Sequence, residues 1–481
     1  MTRGRFPDFS LSRRKFLGLG AGAVAALGFG SSAHSTPFGS YFYEPEVRES
    51  GNGFLSTTLR ASTVPTVAQG ETVVTSVYEG TFPGPTLRVR PGDFLRVELI
   101  NDLGQPTNLH VHGLHVSPLT PGDNVLLEIP AGERFVYEYT IPANHPAGTY
   151  FYHPHFHGLA TNQTFKGLAG LIVIEGDVDA IPGIAGLPER ALVLQRPVVA
   201  NGQIPDVAPN QKLTPGARPQ GTVLVNGAQT PIMFIRPGET QRWRLLNATV
   251  SSLWQIQVEG HPMTLIAQDG NTLAQATTVD AMFLSTAQRR DVLIQGGRPG
   301  VYRVTYQDLQ GPFATPPKPV AFAYLVVTGA DVDPQPLPTT LLPFVDLRTV
   351  PVDRQRSLTF DIIGDDAATT FAGQGFVIDG KAFDHHRIDQ FANLGATEEW
   401  TVNNASTVFH PFHIHINPYQ LTKVNGQPYD ALSYEDTTPV PPDGGSITFR
   451  TRLLDFTGTW VYHCHILGHE DGGMMGIIQV S

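Results

Sequence analysis

The chain has 481 residues, more than one ordinary domain holds and enough for about three. Its 49 Gly and 40 Pro, with many short apolar runs and few of helical period, point to an all-β protein with many turns. A formal net charge of -11 leaves no basic footprint, which excludes nucleic acid as a partner.

The N-terminus reads as an address. Ser12-Arg13-Arg14-Lys15-Phe16-Leu17 leads into an apolar run from Phe16 to Gly30, and Ser31-Ser32-Ala33 offers small residues for cleavage. Residues 1–33 resemble a twin-arginine signal, which exports folded proteins and implies a periplasmic or extracellular location. The run is too short for a convincing spanning helix, although an uncleaved anchor is the alternative. Cys464 is the only cysteine, so no internal disulfide can form and metal is the better explanation for it.

A first unit, 34–180, reads as short strands. Pro83-Gly84-Pro85 to Pro91-Gly92-Asp93 gives a strand and turn, then Phe94 to Ile100 alternates as a strand that Asn101 ends. His110-Val111-His112-Gly113 follows. Gly148-Thr149-Tyr150-Phe151-Tyr152 then runs into His153-Pro154-His155-Phe156-His157. A second unit, 181–335, repeats this plan, with Pro237 and Asn247 each 146 residues after Pro91 and Asn101. It has only a lone His261 where the first has paired histidines, so it reads as the same fold without the metal chemistry.

The Pro-rich joint from Asp333 to Pro338 leads into a third unit, 336–481. Asn404, His413 and His415 each lie 303 residues after Asn101, His110 and His112, and His463 and His465 lie 310 after His153 and His155. Cys464 replaces Pro154 in that register. Repeats of this size are duplicated domains rather than solenoid units.

The last motif, His463-Cys464-His465 with His469 and Met474, enters as a β-strand because Trp460, Val461 and Tyr462 precede it. Alternation then points His463 and His465 one way and Cys464 the other, so one run can feed two metal sites. A thiolate, two imidazoles and a distant thioether form the ligand set of a blue copper. Cys464, His469 and axial Met474 fill three of those places, and His410, three residues before His413, completes the set. Met475 is the competing neighbour for Met474. His110/His112, His153/His155, His413/His415 and His463/His465 each place two rings on one face of a strand. Eight imidazoles meeting between the first and third units would hold several metal ions.

These four motifs, in this order, resemble those of the multicopper oxidases, the laccase family, over the whole mature chain. The resemblance implies three cupredoxin-like Greek-key β-sandwich domains and four copper ions: one type 1, one type 2 and two type 3. His110 and His413 resemble the type 2 ligands. His112, His153 and His465 resemble those of one type 3 copper, and His155, His415 and His463 those of the other. Glu470 resembles a family carboxylate that relays protons, and Asp123 is its expected counterpart beside the first motif. The implied reaction takes single electrons from a reducing substrate at the blue copper and reduces dioxygen to water at the cluster.

The expected donor is a phenol or similar organic molecule. A metallo-oxidase for Cu(I), Mn(II) or Fe(II), or a bilirubin oxidase, is the alternative; the chain has 6 Met and no methionine-rich insert, which favours the organic donor. A non-catalytic envelope protein that binds copper is a further class, disfavoured because every ligand position is filled. Two-domain copper nitrite reductases do not fit three units with eight cluster histidines. His115 and His157 read as supporting or surface residues, and His145, His261, His385 and His386 as structural or exposed. Glu470 as a plain solvated loop carboxylate is the bland alternative to the relay.

Overall fold

The computed structural model describes residues 40–207, 221–309, 317–364 and 375–481. The expected signal at residues 1–33 lies outside them.

The strand Phe94–Asp102 shows how the sheets are built. Its residues alternate between buried and half-buried along its length, with Leu95, Val97 and Leu99 fully inside. It runs parallel to Phe54–Ala68 and antiparallel to Arg134–Thr140. These three and Glu71–Tyr78 make a four-stranded sheet. The facing sheet has five strands, in the order Val47–Glu49, Thr86–Val89, Gly170–Ile174, Gly148–His153 and His110–His112. Leu59, Val97, Val111, Tyr137, Tyr152 and Ile172 fill the space between the two.

The pattern recurs twice. A seven-stranded and a five-stranded sheet enclose Trp243, Trp254 and Phe322, and a six-stranded and a five-stranded sheet enclose Trp400, Phe412, Phe449 and Trp460. Among the described residues this makes three β-sandwiches in succession, the all-β architecture expected. Burying one sheet face against another is what stabilises each sandwich.

The repeated asparagine has a physical reason. Asn101 Nδ2 donates to the carbonyls of Gln105 and Ile129, while its Oδ1 accepts the N–H of Leu103. Asn247 makes the same clasp with Ser252, Leu284 and Thr249, and Asn404 with Val408, Val440 and Ser406. One buried amide thus satisfies three backbone groups where each chain leaves its strand. In the first and third units the clasp is followed directly by the histidine strand. The first of these strands continues through Asn101 to Asp102, one residue beyond its expected end.

The three sandwiches share buried contacts. Phe151 and Leu171 of the first meet Val193, Leu246 and Ala287 of the second. Val125 of the first packs with Val461, Met475 and Ile477 of the third. Among the described residues no helix is long and apolar enough to cross a membrane.

Candidate metal centre

Two pairs of strands carry the histidines. His110–His112 lies antiparallel to Gly148–His153, with His110 opposite His153. His410–Ile414 lies antiparallel to Gly458–Cys464, with His413 opposite His463 and Phe412 opposite Cys464. Each domain therefore presents the same construction, and the two presentations face one another. All eight paired histidines are buried.

Their rings interleave across the domain boundary. His110 stacks on His415 at 3.9 Å between ring centres, and His112 stacks on His413 at 3.8 Å. His463 Nε2 lies 3.1 Å from His155 Nε2 and 3.2 Å from His415 Nε2. That trio is one of the expected type 3 sets. His110, His413 and His415 offer a second group of ligand atoms within 4.8 Å, and His110, His112 and His153 a third. The His465 ring lies 4.9 Å from His112 and 5.3 Å from His153.

In His110, His112, His153 and His413 one ring nitrogen is engaged and the other is not, while His465 has neither nitrogen paired. His110 Nδ1 lies 2.9 Å from Asp123 Oδ2, His153 Nδ1 2.9 Å from the Pro154 carbonyl, and His413 Nδ1 2.8 Å from the Asp436 carbonyl. The Nε2 atoms of those three rings find no protein partner. His112 is reversed: Nε2 meets Asp436 Oδ1 at 3.0 Å and Nδ1 is orphaned. Buried ring nitrogens are not normally left unpaired. Several of them turned toward one space fit metal ions, with carboxylate and carbonyl acceptors fixing the tautomers of His110, His112, His153 and His413 from behind.

Burial sets the charge state. It holds His155 and His463 near a pKa of about 4 and drives His110, His112, His153, His413, His415 and His465 well below the usual range. All are neutral at physiological pH and present lone pairs, which metal binding requires. Burial also pushes Asp123 up to about 8 and Glu470 up to about 7. Glu470 sits in the short helix Leu467–Asp471 and is fully buried, so it is no solvated loop carboxylate.

A second constellation lies behind the cluster. His410 Nδ1 is 3.3 Å from Cys464 Sγ, His469 Nδ1 is 3.7 Å from the same sulfur, and the two nitrogens are 3.1 Å apart. Burial lowers His410 to about 3. Ser406, a member of the Asn404 clasp, lies 2.7 Å from His410 Nε2 and so turns Nδ1 to the sulfur. Phe376 stacks on the His469 ring at 4.5 Å. Met474 shares the third-domain core with Cys464, and its carbonyl accepts the Cys464 N–H at 3.1 Å. Met475 instead belongs to the domain boundary.

The other histidines have structural partners. His145 Nε2 accepts the His115 N–H, His115 contacts the Ile416 carbonyl and Asp455, and His261 accepts the Gly297 N–H. His385 and His386 are exposed. His157 lines, with Val125, Glu128, Phe156 and Phe383, a cavity of about 630 Å³ that reaches His155. Sequence reasoning missed Ser406, Phe376, Asp436 and Asp471. Asp471 Oδ1 and Oδ2 accept the N–H groups of Gly158 and Thr161, pinning the Glu470 helix to the first domain. Of these, only Ser406 carried a signal, its place in the repeated asparagine turn.

Multicopper oxidase domain models match residues 61–179, 199–330 and 351–481. The chain belongs to the multicopper oxidase family, copper-dependent oxidoreductases with dioxygen as acceptor, and its three sandwiches are cupredoxin-like. It is 26% identical to the multicopper oxidase mco of Staphylococcus haemolyticus, over 91% of this chain and 92% of that one. It is 27% identical to the cell division protein FtsP of Escherichia coli, over 84% of each. The structure of a metallo-oxidase from Campylobacter jejuni superposes with a TM-score of 0.79 and 28% identity, over 93% of this chain and 96% of that one.

Proposed function

We propose that this chain oxidises phenolic or similar organic donors one electron at a time at a blue copper, and reduces dioxygen to water at a trinuclear copper cluster. Four donor electrons and four protons convert one dioxygen to two waters. The observation that carries this reading is the set of buried, partnerless ring nitrogens beside a single buried thiol. The proposed domain limits are 34–180, 181–335 and 336–481, following an export signal at 1–33 that implies a periplasmic or extracellular site of action.

In this reading His410, Cys464, His469 and Met474 hold the blue copper. His110 and His413 hold type 2 copper, His112, His153 and His465 one type 3 ion, and His155, His415 and His463 the other. Imidazole and thiolate suit copper, which when bound would supply one-electron redox chemistry at the first site and four-electron chemistry at the second. The chain's own residues do the rest. Cys464 is bonded through the backbone to His463 and His465, so the path from the sulfur to the cluster rings is short, covalent and rigid. Asp123 accepts the Nδ1–H of His110, which leaves Nε2 free to coordinate. Glu470 holds a proton near neutral pH beside His463 and His155, where reduced oxygen needs it. The cavity at His155 gives dioxygen a route in.

Oxygen uptake by the copper-loaded protein tests the reading, with a methoxyphenol and Cu(I) supplied in separate runs. Uptake with the phenol and no peroxide supports it. A second reading, oxidation of a metal ion, is favoured by the likeness to the Campylobacter jejuni metallo-oxidase; uptake with Cu(I) alone would establish that instead. A blue protein inert with both donors would overturn turnover and leave a copper-binding protein.

A further inference from the structure

The middle domain carries none of the paired histidines, yet one of its side chains reaches both of the domains that do. Arg289 opens the strand Arg289–Gln295 and is fully buried. Its Nη1 and Nη2 grip Asp436 of the third domain as a fork, at 2.9 and 2.5 Å. Its Nε donates to the Thr149 carbonyl of the first domain at 3.2 Å, and Nη1 also donates to the Ala287 carbonyl. Thr149 lies on the strand that ends at His153. Asp436 holds His112 by its carboxylate and His413 by its carbonyl.

We propose that Arg289 is a positioning residue for the trinuclear centre, fixing Asp436, and through it His112 and His413, against the strand that carries His153. This rests on the ligand assignment above. A buried guanidinium is costly unless its donors are satisfied, and this one spends them on three domains at once. The planar fork sets both the distance and the orientation of the carboxylate, which a lysine cannot do. The surroundings are built to the same pair. Asp269, also of the middle domain, accepts the Arg289 N–H and faces the N–H groups of Asp436 and Thr437 at 3.4 and 3.3 Å. Gly113, directly after His112, has φ +85°, and a side chain there would meet Arg289 Nη2 and Asp436 Oδ2 at 2.5 Å. The Arg–Asp pair occupies the space that a glycine leaves open.

The test compares Arg289→Lys with Arg244→Gln in the full copper-loaded chain. Arg244 is equally buried and also bonds Thr149, through its hydroxyl, but its ionic partners are Asp291, Glu189 and Asp179 rather than Asp436. Arg289→Lys is expected to keep the blue absorption, change the type 2 electron paramagnetic resonance signal and lower turnover about 10- to 100-fold. Arg244→Gln is expected to lower stability while leaving that signal as in the parent. A parent-like signal and turnover in Arg289→Lys would overturn the proposal, and so would the same spectral change in both variants. If Arg289→Lys does not fold, Asp436→Asn takes its place, with the same altered signal expected and an unaltered one overturning it. A parent protein with no blue band after copper loading would defeat the ligand assignment itself, a separate result.

Discussion

Glu470 Oε2 lies 3.1 Å from His463 Nδ1, on the side of that ring away from the Nε2 that meets His155 and His415. The carboxyl therefore stands behind a proposed ligand without competing for its metal-facing nitrogen. Burial raises it to about 7, so its proton-donating form dominates below that pH and is lost above it. Glu470→Gln should slow reoxidation of the reduced protein by dioxygen about 10²-fold, the scale of a lost proton donor. Anaerobic reduction of the blue band should keep its parent rate. Stopped-flow traces separate the two half-reactions; equal slowing of both would remove the proton role.

In the proposed reading Met474 is the weak axial ligand of the other site. It lies in the core beside Cys464, and a weak sulfur ligand donates density that lowers the potential of a blue copper. Met474→Leu should raise that potential while the blue colour persists. A redox titration of the visible band is the measurement, and an unchanged midpoint would show that the thioether is not at the metal.

The copper-free protein should weaken as pH falls. Nine buried imidazoles have folded pKa values below the ordinary 6.5, with His410 at about 3 and His155 and His463 at about 4. Between about pH 6.5 and 4 the unfolded chain binds protons that the folded cluster refuses, so stability drops across that window. Asp123, Glu435, Asp436, Glu470 and Asp471 act in the opposite sense, because their raised pKa values favour the folded state as pH falls. The imidazoles outnumber them and set the sign. Urea midpoints of copper-free protein at pH 7 and 5 check this; a higher midpoint at pH 5 would contradict it.

Asp471 ties the third domain to the first through two backbone N–H groups. Asp471→Ala leaves the N–H groups of Gly158 and Thr161 without that acceptor and should cost about 1–2 kcal/mol, with Asp471→Asn costing less. Denaturant unfolding measures both. Equal stability of all three proteins would show that water replaces the carboxylate at no cost.

How much of this was legible depends on distance along the chain. The cluster histidines and Cys464 stood out because metal ligation demands particular residue types and strand alternation fixes their spacing. The duplicated plan was visible in Asn101, Asn247 and Asn404, since the same turn imposes the same amide each time. Asp436 was not legible: it meets His112 across 324 residues and belongs to no motif. Arg289 was hidden for the same reason. Its partners come from domains before and after its own, and nothing local in the sequence encodes such packing. The middle unit looked idle because only its missing histidines could be read.

The duplication is unequal in one respect. At the offsets that relate the two histidine-bearing domains, His410, Cys464, His469 and Met474 correspond to Thr107, Pro154, Leu159 and Thr164. Thr107 spends its hydroxyl on Gln163 at 2.7 Å, and Pro154 lends its carbonyl to His153. None of the four can bind a soft metal. In the proposed reading the molecule has a sink built from both halves of its structure but a single doorway, and charge must queue through one sulfur. A macromolecule that covers the surface over His469 would close that doorway and leave the cluster without electrons.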